Sequence, residues 1–224
     1  MPPESGPVRA APGMVQEAEK RQGVPAASDR YPFATLPDYL GPDLRLVFVG
    51  INPGLYSVAC GHYFARPTNR FWPAFSRSKL SVPVRRVLRV RALGPEQDAS
   101  LLRFGIGFTD VVKVPSRNAG ELSQGLFKEW APRLLRRLRT YRPRVACFHG
   151  LTGYRPFVQI ALHDDPGRVA LGPQPLTVGH TRLFVAPNPS PANAHFTVDD
   201  QVRWYDRLAA FLSKDPPPGP SGRR

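Results

Sequence analysis

Cysteine is nearly absent. Cys60 and Cys147 are the only two in 224 residues. Neither sits in a CxxC pair, which excludes a disulfide framework, a four-cysteine zinc site and a four-cysteine iron–sulfur cluster. Cys147 lies in an apolar run and reads as a small buried hydrophobe, so a reducing compartment is expected. Long hydrophobic runs are missing too: no segment reaches the roughly 18 apolar residues of a membrane span. The N-terminus opens with Pro, Glu, Ser and Gly, not the basic stretch and apolar run of a secretory signal. Several chemistries lack their motifs. No GxxxxGK[ST] phosphate loop and no GxSxG elbow exist. Gly105–Ile106–Gly107 begins a GxGxxG, but Asp110 stands at the third glycine. His and carboxylates never cluster at zinc-ligand spacing.

Acidic residues are the scarcer charge, 17 Asp+Glu against 31 Lys+Arg, for a net +14. That excess favours a polyanion, because each neutralised phosphate releases condensed counterions. A soluble protein with a basic surface is the alternative. The apolar fraction, 42%, is enough for a core, and the length fits one domain with tails. Residues 1–35 and 215–224 are rich in Pro, Gly and charge and are expected to be flexible tails. The folded domain is expected over 36–214.

Four short apolar runs read as buried strands: Leu44–Gly50, Ile106–Val112, Arg144–Phe148 and Arg182–Ala186. Helical patterns lie between them, which predicts a parallel sheet covered on both faces. The clearest helix follows Ser123 as N-cap, with Leu126, Phe127, Trp130, Leu134, Leu135, Leu138 and Tyr141 on one stripe. Its arginines 133, 136, 137 and 139 read as a solvated face or a DNA contact. A second helix is predicted after Thr197, with Asp200 completing a capping box. A third is predicted over Asn69–Ser78.

Sites in open α/β sheets form where strand C-termini meet loops. Two junctions here carry unusual chemistry, Gly50–Leu55 (GINPGL) and Pro187–Phe196 (PNPSPANAHF). GINPGL alone is explained by turn formation. Its company is more specific. GINPGLYSVACGHYFARPTNRFW (Gly50–Trp72) resembles the first motif region of the mismatch-specific uracil-DNA and thymine-DNA glycosylases, within the uracil-DNA glycosylase superfamily. FGIGFTDVVKVPSRNAGELS (Phe104–Ser123) and YRPRVACFHG (Tyr141–Gly150) resemble the next two segments. NPSPANAHF (Asn188–Phe196) resembles the second motif, the loop that enters DNA. Order and spacing agree over about residues 44–212.

The resemblance implies one three-layer α/β domain, with a central, mostly parallel, four- to five-stranded sheet flanked by helices. It implies a monomer that needs no metal or cofactor and works in the cytoplasm or nucleoid, or in a nucleus. The implied partner is duplex DNA carrying uracil or a G/U or G/T mismatch. The implied reaction is monofunctional hydrolysis of the N-glycosidic bond, with no lyase step. The general uracil enzyme of the superfamily has an acidic residue early in motif one and a His opening motif two. Here Asn52 and Asn188 stand at those positions, which points to the mismatch-type branch.

A base inside a duplex must first be extruded. By the resemblance, Asn52 orients the attacking water. It cannot accept a proton, and losing a general base forgoes about 10²–10⁴ in rate, so slow turnover is expected. Asp110, directly after a strand, is the second catalytic candidate, with a capping or surface role as the alternative. Phe64 matches the aromatic that stacks on the flipped base. Ile51, Gly54 and Asn188 complete the expected base-binding set. Backbone N–H groups of Ile51 and of the Tyr63–Phe64 stretch are expected to hold the pyrimidine oxygens.

Ser57 and Tyr63 match positions on the C5 side of the pyrimidine. Thymine-processing members carry alanine and histidine there, so uracil is expected to be preferred over thymine, within the modest discrimination a methyl group allows. In motif two, Pro189 and Ser190 are expected to fix the loop and contact phosphate. Ala192, Asn193 and Ala194 are expected to fill the vacated space and meet the opposite guanine; alanines make a poor wedge. His195 reads as a DNA contact or an ordinary loop histidine. Lys113 and Arg117 read as phosphate ligands or as solvated charge. Two other classes stay open: a catalytically weak mismatch-binding module, and an α/β enzyme acting on free nucleotides.

Overall fold

The structure is a computed structural model that describes residues 31–214. Of the tails expected at residues 1–35 and 215–224, residues 1–30 and 215–224 lie outside the described residues. The four apolar runs form strands: β1 (Leu46–Gly50), β2 (Ile106–Asp110), β3 (Val145–His149) and β5 (Thr181–Ala186). A fifth, β4 (Gly172–Val178), lies at the sheet edge. The order is β2-β1-β3-β5-β4. All pairings are parallel except β4 with β5.

Parallel strands need covered crossovers, so β1, β2 and β3 are buried at every position. Alternate side chains supply two separate cores. Val47, Val49, Ala146, Phe148, Leu183 and Val185 face one layer of helix. That layer is α4 (Gln124–Tyr141) and α5 (Leu151–Phe157), which bring Trp130, Leu134, Leu138 and Phe157. Leu46, Phe48, Ile106, Phe108, Cys147 and Phe184 face the other. There α2 (Phe71–Arg77) and α6 (Val198–Ser213) bring Phe71, Phe75, Tyr205 and Leu208. Each large side chain so buried contributes about 1.5–3 kcal/mol before the entropy of ordering it.

The predicted caps form. Ser123 Oγ accepts from Leu126 N–H at 3.3 Å, and Thr197 and Asp200 make the reciprocal capping box. The short helices α1 (Leu55–Cys60), α3 (Val82–Leu88) and α5 were not anticipated. With two turns or fewer they carry too little periodicity to read. Nor was β4 among the four runs read as strands. Its Pro173 and Pro175 suit an edge strand, and its register shifts between Pro173 and Thr177.

Two readings need correction. Tyr31 and Phe33, placed in the tail by composition, pack on Trp130 with ring centroids at 5.3 and 6.1 Å. Arg137, read as part of a solvated or DNA-facing row, is buried and donates to Asp38 Oδ2 at 2.6 Å. A helix row of arginines looks uniform until the N-terminal segment covers one of them.

Parallel pairing aligns the strand ends. Gly50 is in register with Asp110, and His149 with Ala186. Those C-terminal ends line one edge of the sheet, where both unusual loops emerge.

Candidate active site

At that edge lies a cavity of about 370 Å³, a size suited to a small ligand. Its lining draws on both loops and on the strand ends between them: Gly50, Ile51, Asn52 and Gly54 from one loop, Asn188, Ser190 and Ala192 from the other, with Asp110 and His149 beneath. Ser57, Tyr63 and Phe64 close one side, and Ser116, Arg117 and Asn118 another.

The Gly50–Leu55 loop is tied down by Asn52. Its Nδ2 donates to Val114 O at 3.0 Å and Ser116 Oγ at 2.8 Å. With the amide nitrogen occupied, Oδ1 is the atom free to accept a hydrogen bond from water. Asp110 is 2% exposed. It sits against Gly50, where a β-carbon would collide with its Oδ1, so glycine at 50 is what lets the carboxylate lie beside the loop.

Beneath Asp110 is a buried ion network. Lys113 Nζ donates to Asp38 Oδ1 at 3.0 Å, to Tyr63 OH at 3.0 Å and to Asp110 Oδ2 at 3.3 Å. Thr109 and Arg137 donate to the two oxygens of Asp38, each at 2.6 Å. Two carboxylates thus face two basic side chains. Burial pushes the Asp38 carboxyl up, but Lys113 and Arg137 outweigh it and hold it down at about 2. Asp110 has a weaker claim on the same lysine. Burial dominates and, with Asp38 close by, leaves its carboxyl above the ordinary range despite Lys113. A carboxylate raised in this way is a better proton acceptor near neutrality.

Lys113 itself must be reassigned. At 0% exposure it cannot reach a phosphate; it is the counter-ion of Asp38 and Asp110. Three residues after a strand end, a lysine looks like a surface cation, and only the packing of residues 31–38 across it shows otherwise. Arg117 is exposed at the rim, as a phosphate ligand requires.

The wall at residues 57–64 is rigid. Ser57 Oγ accepts from Ala65 N–H at 3.1 Å. Tyr63 stacks on Phe108 at 5.2 Å and donates through its hydroxyl to Pro37 O. Its backbone N–H is taken by Asp98 Oδ2 at 2.9 Å, so it is not the donor expected for a pyrimidine oxygen. Phe64 adopts φ +55, the left-handed region. That turn lays its ring on Phe71, 4.4 Å away and nearly parallel, with the residue still lining the cavity.

The other loop is exposed and lightly held. Arg70 anchors it through its N–H to Pro189 O at 3.0 Å and its guanidinium to Ser190 O at 2.6 Å. Asn188 Oδ1 accepts from Ser190 N–H, and Asn193 Nδ2 reaches back to Asn188 O. Pro189 is buried under this arrangement, and its carbonyl accepts the Arg70 N–H. Ala192, Ala194 and His195 are exposed, and Ala192 borders the cavity while Ala194 and His195 stand outside it.

Sequence reasoning missed His149, Arg66 and Asn69, all in the lining, and Arg70, which holds the second loop. His149 carried a signal, since it ends a strand in register with the run before that loop.

A model of the uracil DNA glycosylase superfamily matches residues 37–209. The chain is also similar to the solution structure of a provisionally assigned uracil DNA glycosylase from Methanosarcina acetivorans. The two share 19% identity at a TM-score of 0.48, over 78% of this chain and 97% of that one, too little for any residue to be carried across.

Proposed function

The chain belongs to the uracil DNA glycosylase superfamily, and from that premise we propose that it is a monofunctional glycosylase of the mismatch-specific type, acting on uracil extruded from duplex DNA. At the level of the superfamily it is a DNA glycosylase, and +14 of net charge suits that partner.

In the proposed reaction, water held by Asn52 Oδ1 attacks C1′ of the extruded nucleotide. The C1′–N bond breaks, its electron pair leaves with the base, and the water proton passes to Asp110. The observation that carries this reading is the Asp110 carboxylate, buried beside the Gly50–Leu55 loop with its basicity raised by burial. Before the proton moves, the same negative charge favours the oxocarbenium character growing on the sugar. Asp110 thereby supplies the base that Asn52 cannot be.

Phe64 lies where it can flank the base. The fixed Ser57 and Tyr63 leave little give on their side, which supports uracil over thymine. Mismatched thymine and other deaminated bases are slower substrates in this reading. Lys113 is held in ion pairs, which suits hydrolysis without a Schiff-base lyase step. Arg117 at the rim and Ser190, Asn193, Ala194 and His195 of the second loop are the proposed DNA contacts. The enzyme acts as a monomer.

The test is cleavage of duplexes carrying uracil, thymine or hypoxanthine opposite each base, with alkali to reveal abasic sites. Uracil opposite guanine is expected to be released fastest. Asn52→Ala and Asp110→Ala are expected to lose most of that activity. Wild-type protein that leaves every lesion intact overturns the reading, and equal rates on uracil and thymine overturn the preference.

A further inference from the structure

His149 ends β3 inside the cavity lining, 2% exposed. Its ring is clamped: it stacks on Phe48 at 5.2 Å and 13°, and meets Phe64 and Phe71 edge-on at 5.2 and 5.6 Å. Nε2 lies 2.9 Å from Tyr205 OH. Nδ1 is buried and has no hydrogen-bond partner among the described residues. An orphaned buried polar atom is destabilising and calls for an explanation. The residue that carries it lines the cavity.

The proton on this ring can be placed. Burial holds the imidazole neutral, with its pKa lowered to about 3, so one nitrogen donates and the other accepts. The Gln201 amide nitrogen donates to Pro187 O at 3.2 Å. Gln201 Oε1 has no partner and does not take the phenol proton. The acceptor left for the Tyr205 O–H is His149 Nε2, which leaves the ring proton on Nδ1. Tyr205 is thus a positioning residue that fixes the tautomer.

We propose that His149 is a specificity-determining residue whose Nδ1–H donates to an exocyclic carbonyl oxygen of the extruded base, so that the site reads deamination directly. The proposal rests on the reading that this cavity receives a base. Deamination replaces an amino donor with a carbonyl acceptor at one ring position. A fixed donor in an aromatic slot pairs with the carbonyl. An amino group in the same place sets two donors face to face, each cut off from water. A site built around such a hydrogen bond rejects the analogue that lacks it far better than a hydrophobic pocket rejects a methyl group. His149 therefore separates uracil from cytosine, while Ser57 and Tyr63 bear on uracil against thymine.

The decisive measurement is binding by the full chain of duplexes carrying 2′-fluoro-2′-deoxyuridine or 2′-fluoro-2′-deoxycytidine opposite thymine. Neither base is then Watson–Crick paired, and the fluorine suppresses cleavage. Wild type is expected to favour the uracil duplex roughly tenfold to a hundredfold. His149→Phe is expected to bind both alike, with unchanged affinity for a duplex holding a tetrahydrofuran abasic analogue. His149→Asn, which keeps an amide donor, is expected to regain part of the preference.

Imidazole ¹⁵N spectra of the wild type give an independent readout. A neutral ring protonated at Nδ1 from pH 5 to 8 is expected, with mixed tautomers in Tyr205→Phe. Retained preference in His149→Phe, no preference in wild type, or a ring protonated at Nε2 overturns the proposal. A wild type that prefers the uracil duplex yet releases no uracil from a cleavable one refutes the enzyme reading and leaves this one standing.

Discussion

The Gly50–Ser116 side of the cavity is anchored from beneath by buried charge, with Asp38, Lys113, Arg137 and Asp110 meeting in an interior that excludes water. The 187–196 loop across from it rests on hydrogen bonds between backbone and Arg70, Asn188 and Asn193, and its residues 191, 192, 194 and 195 face solvent. Buried charge in excellent geometry holds a reacting group within a fraction of an ångström, and it breaks badly when one partner is removed. A loop with exposed alanines tolerates change and adapts to a bulky partner. The proposed chemistry therefore falls to the first side and the proposed DNA contact to the second.

The largest test of that division is Asp110→Asn. Single-turnover release of uracil is expected to fall by about 10²–10⁴, while Ala192→Gly across the cavity changes it less than tenfold. Wild-type rates should also decline in acid as Asp110 gains its proton, above the ordinary carboxylate range because its pKa is raised. Similar losses from the two variants would erase the division.

Next comes Lys113→Met, which leaves Asp38 and Asp110 buried beside each other without their lysine. Urea unfolding should show about 3–5 kcal/mol of lost stability. Ser190→Ala should stay within about 0.5 kcal/mol, and a tolerant Lys113 variant would mean that the network is not the anchor.

Acid sharpens the same contrast. Asp38 titrates near 2 in the folded chain against 3.8 ordinarily, so the unfolded chain takes up the proton first as pH falls. Its stabilising contribution, about 2 kcal/mol, is present above pH 4 and lost between about pH 4 and 2. Asp110, shifted the other way, stabilises the folded state in acid and offsets part of that loss. Denaturation followed from pH 5 to 2 should show the drop in wild type and little of it in Asp38→Asn.

The smallest effect expected is from Arg117→Ala at the rim. The slope of log affinity against log salt should shrink by about one, with release from the bound complex unchanged. An unchanged slope would remove Arg117 from the DNA surface.

Much of this was legible beforehand. Four strands, both long helices and their caps follow from apolar runs and from Ser123, Thr197 and Asp200, because those signals are local. Asn52 and Asp110 were legible as candidates because each lies at or just beyond a strand end. The burial of Lys113 and Arg137 and the partner of His149 were not. Asp110 close in sequence does not by itself tell a buried lysine from an exposed one; the partners that decide it are far along the chain, Asp38 for Lys113 and Arg137, and Tyr205 for His149.

Four of the strands, the two unusual loops and the basic balance belong to the sequence, since periodicity, turn residues and net charge need no partner to be read. Tertiary structure alone decided which charges are buried, which nitrogen of His149 carries its proton and which backbone donors stay free near the cavity. Those properties depend on what each polar group faces once water is excluded, and the facing group comes from a distant segment brought there by the parallel sheet.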